Sequence, residues 1–199
     1  MLAAAILAAG ESRRMGSPKA LASIHGKTFL QHLLEAVRHP RIGVTGIILG
    51  AYADDIRTKL DIGSASIVVN DRWEKGQLSS IHAAISSLSE TTTEGLLVCP
   101  VDHPLISASL VAQLIATFDS TGKKIILPTF HGRRGHPVLF HSELYPELLA
   151  ASLEVGAREV VWAHTNDVAE VPTEEEGVIL NLNDPEILRK TQEANRPLK

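Results

Sequence analysis

Hydrophobic positions in this 199-residue chain fall into short blocks that alternate between two spacings. Largely apolar runs at residues 2–9, 46–49, 65–69 and 95–98 have the length and composition of strands, the first of them that of a strand covered on both faces. Between them the spacing becomes helical. Leu30, Leu33, Leu34 and Val37 make one stripe, preceded by Thr28 and Gln31 at capping-box separation. Further helices are predicted over 53–60, from a polar loop at 73–80 to about 88, and from an N-cap at Ser107 to about 118. Strands and helices alternating at this pace predict βαβ units, hence an α/β fold with a mainly parallel sheet.

The second half is less regular. Predicted strands at 125–127 and 138–140 flank TFHGRRGHP, a connection readable as a hairpin or as a long loop. Helices follow at 142–153, where Pro146 fits only in the first turn, and at 157–164. Strands are predicted at 168–171 and 178–180, around the acidic turn 173–176. Asp184, Pro185 and Glu186 then read as N-cap, first-position proline and the start of a helix to about 194, with a frayed tail at 195–199. No repeat or low-complexity block divides the chain, so a single domain is expected over 1–199.

Composition narrows the classes of function. Hydrophobic residues make up 44% and charged residues 21%, a globular balance. The net charge is −4 and aromatics are 4%, so neither a basic face nor a stacking platform for nucleic acid is supplied. Cys99 is the only cysteine, which excludes an internal disulfide and a cysteine-based zinc cluster. No run approaches the ~20 apolar residues of a membrane span, and no Lys or Arg precedes the apolar start as in a secretory leader. A cytoplasmic protein without membrane or nucleic-acid partners is expected.

The candidate chemistry begins directly after the first strand, in the segment 10–19. Gly10 and Gly16 allow close backbone approach, and Arg13, Arg14 and Lys19 can neutralise a polyanion, with Ser12 among them. At the carboxyl end of the first strand of an α/β domain, such a loop is where nucleotide phosphates lie; a solvated turn is the plainer reading. The segment is neither a P-loop nor a GxGxxG. Asp102 follows the run at 95–98 and so leaves the same sheet edge. One carboxylate with phosphate oxygens is the ligand set Mg²⁺ takes, against the plainer reading of a loop aspartate before a proline turn.

LAAGESRRMGSPKAL resembles the opening signature of the MobA/MocA-type nucleotidyltransferases, close to LAAG-x-S-x-R-M-G-x-x-K. Three later segments fit the same family in order: Gly76-Gln-Leu-Ser79-Ser80, Asp102-His-Pro104, and Asn181-Leu-Asn183-Asp184-Pro185-Glu186. The resemblance implies a Rossmann-like, three-layer α/β/α fold of nucleotidyltransferase type, its mainly parallel (mixed) sheet covered by helices on both faces. It implies a nucleotide-binding half at 1–120 and an acceptor-binding half at 121–199. Arg14, Lys19 and Asp102 are then the catalytic groups, Asp102 and Asn181 the metal ligands with Asn183 in reserve. Leu7, Ala8, Ala9, Gly10, Ser12, Arg13, Gly16, Gly76, Ser79 and Ser80 are implied to bind the nucleotide. Gly132-Arg-Arg134-Gly135-His136-Pro137 resembles the acceptor loop of the MocA-type branch, which makes Arg134, Gly135 and His136 acceptor-binding. Arg133 or Arg134 as mere solvated charges, and His136 as a structural residue, are equally good readings of those residues alone.

That loop, together with LAAG rather than LAGG, points within the family to the cytidylyl branch: CTP and Mg²⁺ (or Mn²⁺), a molybdopterin acceptor, and a client molybdoenzyme. Guanylyl transfer, or transfer to a sugar or other small phosphate, is the alternative. A non-catalytic partner that binds nucleotide or cofactor is the reading of another class, since relatives more often carry Asp where Asn181 stands. None of the other histidines shows ligand spacing, and no serine or cysteine is placed as a nucleophile.

Overall fold

The computed structural model describes residues 1–59, 61–88 and 90–194. The first apolar run becomes β1 (Leu2–Ala8), buried along its whole length. Its side chains alternate between two cores. Leu2, Ala4, Ile6 and Ala8 enter one, and Ala3, Ala5 and Leu7 the other, as the two-residue period of a strand requires. A small hairpin of β2 (Ser23–Ile24) and β3 (Lys27–Thr28) leads into α1 (Phe29–Ala36). The capping box forms: Thr28 Oγ1 accepts from the Gln31 N–H, and the Gln31 side chain accepts from the Thr28 N–H.

β4 (Ile42–Leu49) starts four residues before the apolar run at 46–49. Backbone pairing with β1 from Ile42 onward recruits these less hydrophobic residues into the strand. Then come α2 (Ala53–Lys59), β5 (Ser66–Val69), α3 (Gln77–Ser87) and β6 (Gly95–Pro100); position 60, the expected end of the second helix, lies outside the described residues. α4 (Ala108–Thr121) is capped by the Ser107 hydroxyl, which accepts from the Leu110 N–H, and it stops at Gly122 with φ 65°.

The connection after β7 (Ile125–Phe130) is a hairpin: β8 (Arg133–Arg134) pairs antiparallel with β7, and β9 (Val138–His141) returns between β7 and β6. The helix expected at 142–153 is shorter, a 3₁₀ turn followed by α5 (Tyr145–Ala150). Pro146 sits in its first turn, and the chain turns extended at Ala151 so that Leu153 and Ala157 pack on the second core. α6 (Arg158–Ala163), β10 (Val168–Pro172) and α7 (Pro185–Ala194) follow. Asp184 Oδ1 accepts from the Glu186 N–H at the start of α7. The strand expected at 178–180 does not form. A 3₁₀ turn over Glu176–Val178 stands there, and Val178 and Leu182 are spent on plugging the core. The expected frayed tail lies outside the described residues.

The strand order is β10-β7-β9-β6-β1-β4-β5, with β8 paired to β7, parallel throughout except at β8 and β9. One core gathers side chains from α1, α2 and α4, the other from α3, α5 and α6, giving three layers. The chain leaves β1 toward β4 on one side and comes back to β6 on the other. A crevice therefore opens over the carboxyl ends of β1 and β6, the switch point of an open α/β sheet. No helix among the described residues is long and apolar enough to cross a membrane.

Candidate active site

β1 and β6 end side by side, with Leu7 opposite Pro100. The loops leaving them line a cleft of about 350 Å³, bordered by Leu7, Ala8, Ala9, Gly10 and Ser12 from one and Val101, Asp102 and His103 from the other. Gly76, Gln77 and Ser80 close it at the start of α3, and His136 and Asn181 at the far side.

The loop folds back through Ser12, at φ 55°, whose hydroxyl accepts from the Lys19 N–H at 3.1 Å. This turn carries the Lys19 side chain across the cleft, where Nζ lies 3.2 Å from Asp102 Oδ2. The two groups are 83 residues apart in sequence and only 18% and 19% exposed.

Asn181 reaches the cleft although its segment is irregular, because that segment is fastened to the Asp102 loop at several points. The Leu182 N–H donates to the Asp102 carbonyl at 2.8 Å. The Glu175 carboxylate accepts from the Ser107 N–H at 2.9 Å and from its hydroxyl at 2.5 Å. Gly177 packs so tightly that an added Cβ would stand 2.2 Å from the Leu105 carbonyl oxygen. The result is a buried Asn181 Oδ1 with no hydrogen-bond partner among the described residues. An orphaned amide oxygen in the same cleft as a carboxylate fits a hard cation. Among the described residues no three or more His, Cys, Asp or Glu are placed to hold a metal ion together, so such a cation needs ligand oxygens as well.

Two histidines stand beside Asp102. The His103 Nδ1 lies 3.3 Å from the Gly177 carbonyl, so Nδ1 carries the proton and Nε2 is free to accept. Its ring is 4.9 Å from that of His136. Burial lowers the pKa of His103, and that of His136 is pushed down to about 4, first by burial and then by His103. Both are neutral near pH 7. His136 also borders a second, largely apolar cavity of about 510 Å³ whose walls include Phe140, Val161 and Trp162.

Not every residue expected at the site reaches it. Arg13 is ion-paired with Glu11 at 2.6 Å and largely exposed. Arg13 and Arg14 border an adjoining hollow with Asn183, while Gly16 is exposed and lines neither space. The Ser79 hydroxyl is taken up inside the protein, 2.7 Å from the Gly76 carbonyl and accepting from Asn70 Nδ2 at 2.9 Å; Ser80, the next residue, borders the cleft. Gly135 is packed against Val178, where a Cβ would meet the carbonyl oxygen at 2.4 Å. Arg134 pairs with Glu170 at 2.8 Å and borders the apolar cavity. Sequence reasoning missed His103, Trp73 and Gln77 as cleft residues. His103 follows Asp102 directly, and that adjacency was the available signal.

An α/β domain with a cation-bearing glycine loop facing an aspartate across the switch-point crevice is a nucleotide-phosphate transfer fold. The chain matches the MobA-like NTP transferase domain over residues 4–168 and belongs to that family. It is a nucleotidyltransferase. It is 31% identical to a molybdenum cofactor guanylyltransferase of Shewanella halifaxensis, over 96% of this chain and 94% of that one. It is also 30% identical to a nicotine blue oxidoreductase of Paenarthrobacter nicotinovorans, over 77% of this chain and 78% of the other. The structure of Rv0371c from Mycobacterium tuberculosis superposes with a TM-score of 0.85 at 22% identity, covering 96% and 97% of the two chains. A manganese complex of Rv0371c superposes at 0.72 and 21% identity, covering 86% and 87%.

Proposed function

We propose that this enzyme transfers the nucleoside monophosphate group of a nucleoside triphosphate to the phosphate of a molybdopterin-type acceptor. An acceptor phosphate oxygen attacks the α-phosphorus, the α–β bridging bond breaks, and pyrophosphate leaves with that electron pair. The observation that carries this reading is the meeting of Lys19 and Asp102 at 3.2 Å across the cleft. It sets a phosphate-binding cation and a metal-binding carboxylate at one point, as a reaction run by positioning and charge stabilisation requires.

In this reading the strand-end backbone from Leu7 to Gly10, with Gly76 and Ser80, flanks the nucleoside. Ser12 and Lys19 hold the triphosphate, and Arg14 and Arg13 serve its outer end from the adjoining hollow. Asp102 and Asn181 hold a divalent ion, Mg²⁺ or Mn²⁺; the manganese bound by Rv0371c supports that choice. When bound, the ion supplies charge neutralisation between donor and acceptor phosphates. Residues 1–120 then act as the nucleotide half and 121–199 as the acceptor half. The apolar cavity beyond His136 suits a flat heteroaromatic acceptor, with Arg134 at its border.

The relatives named guanylyltransferase support GTP as donor. A second reading, CTP, rests on Ala9 and on the loop ending in His136 and Pro137, which resemble the cytidylyl branch. Incubation with α-labelled GTP, CTP, ATP or UTP and molybdopterin tests both readings, with sugar phosphates as competing acceptors. Label from GTP is expected in a pterin product together with pyrophosphate release. Label entering only a sugar phosphate overturns the acceptor, and preferential use of CTP selects the second reading.

A further inference from the structure

We infer that Lys19 acts as an internal stand-in for the divalent ion, so that the metal site becomes available only when a nucleotide draws the lysine away. The inference rests on the proposed use of Asp102 and Asn181 as metal ligands. Its basis is a charge count around the cleft. Among the described residues Asp102 is the only carboxylate lining it, and its charge is already matched by the Lys19 ammonium at 3.2 Å. Asn181 adds a dipole but no charge. Without nucleotide the pair sums to zero, and a dication approaching Asp102 Oδ2 meets a fixed positive charge at contact distance.

A triphosphate changes this balance. Its oxygens offer Lys19 several strong acceptors within the same cleft, because the lysine stem springs from the turn that its own N–H anchors to Ser12. Once Nζ moves to the phosphates, Asp102 is left with an unmatched charge beside the orphaned Asn181 Oδ1. The phosphates also supply the further oxygens that an octahedral ion requires. Nucleotide and metal therefore load together. Because binding free energies are reciprocal, each tightens the other through this one side chain. The device keeps the bare enzyme from capturing free divalent ions.

The test is Mn²⁺ binding without nucleotide, followed by the electron paramagnetic resonance signal of free Mn²⁺, in wild type, Lys19→Met and Lys19→Met/Asp102→Asn proteins. Lys19→Met is expected to bind Mn²⁺ alone about tenfold more tightly than wild type or better, and the double variant to lose that gain. A lysine that only binds phosphate leaves Mn²⁺ affinity unchanged on removal, and equal or weaker binding by Lys19→Met overturns the inference. Lys19→Gln, which keeps a polar stem, serves as the second variant should Lys19→Met misfold, with the same expectation. Mn²⁺ binding by the wild type with GTP or CTP that is insensitive to Asp102→Asn overturns the metal site itself, and the inference with it. Asp102-dependent binding without the Lys19 effect removes the inference alone.

Discussion

Asp102 and Lys19 show at the scale of single residues why function and stability separate here. Their ion pair is partly exposed, so its contribution to folding is about 1 kcal/mol or less. In the proposed reaction its contribution to a developing phosphate charge is larger. Asp102→Asn is expected to lower pyrophosphate release by ~10²-fold or more, and Lys19→Ala by roughly 10²-fold. Thermal unfolding should move little in either; a large loss of stability with unchanged turnover would contradict these roles. His136 behaves in the opposite way. Its folded pKa of about 4 lies below its usual value of 6.5, so the unfolded chain binds more protons between those pH values. Its contribution is fully present above about pH 6.5 and is lost as pH falls toward 4. Urea unfolding over that range should show stability falling with acid, with a shallower slope for His136→Gln; an unchanged slope would refute the buried neutral state.

Elements decide where these side chains arrive. β1 carries alternate residues into two cores and ends at the cleft, so the glycine loop springs from a strand buried along its whole length. Its amides are expected to exchange with deuterium only through global unfolding, whereas those of the edge strand β5 exchange through local opening. Mass spectrometry of exchanged peptides checks this, and comparable rates in the two strands would overturn it. The irregular run before α7 has no such support and depends on close approach. Gly177→Ala forces a Cβ into the Leu105 carbonyl, with an expected cost of about 1–3 kcal/mol by denaturant unfolding. Because that contact also sets Asn181, the divalent-ion concentration needed for half-maximal turnover should rise as well.

At the scale of the whole molecule, the cleft joins residues from both ends of the chain: Lys19 from the first loop, Asp102 from the middle, Asn181 from the approach to the last helix. A ligand that contacts all three ties separate parts of the fold together. GTP or CTP with Mg²⁺ at ~100 times its dissociation constant should add about 2.7 kcal/mol to stability, with no gain in Asp102→Ala. Differential scanning calorimetry of the two proteins with and without nucleotide decides this.

Much of this fold was legible in local pattern. The enclosed first strand, the Thr28 and Ser107 caps, the proline start of α7 and the glycine loop are each set by residues near one another, and local chemistry is enough to read them. The placement of β9 between β6 and β7, the early start of β4 and the missing strand at 178–180 were decided by partners distant in sequence. Backbone pairing and core volume overrode local propensity there. The same holds at the site. Residue types named the loop and the aspartate, but which serine borders the cleft was a matter of packing: Asn70 Nδ2 donates to both hydroxyls, and of the two only Ser80 also lines the cleft. Sequence alone determined that a glycine loop with three cations and a carboxylate leave one sheet edge. Only the tertiary structure decided that they meet at 3.2 Å beside an unpartnered asparagine, because that distance depends on contacts from across the whole chain.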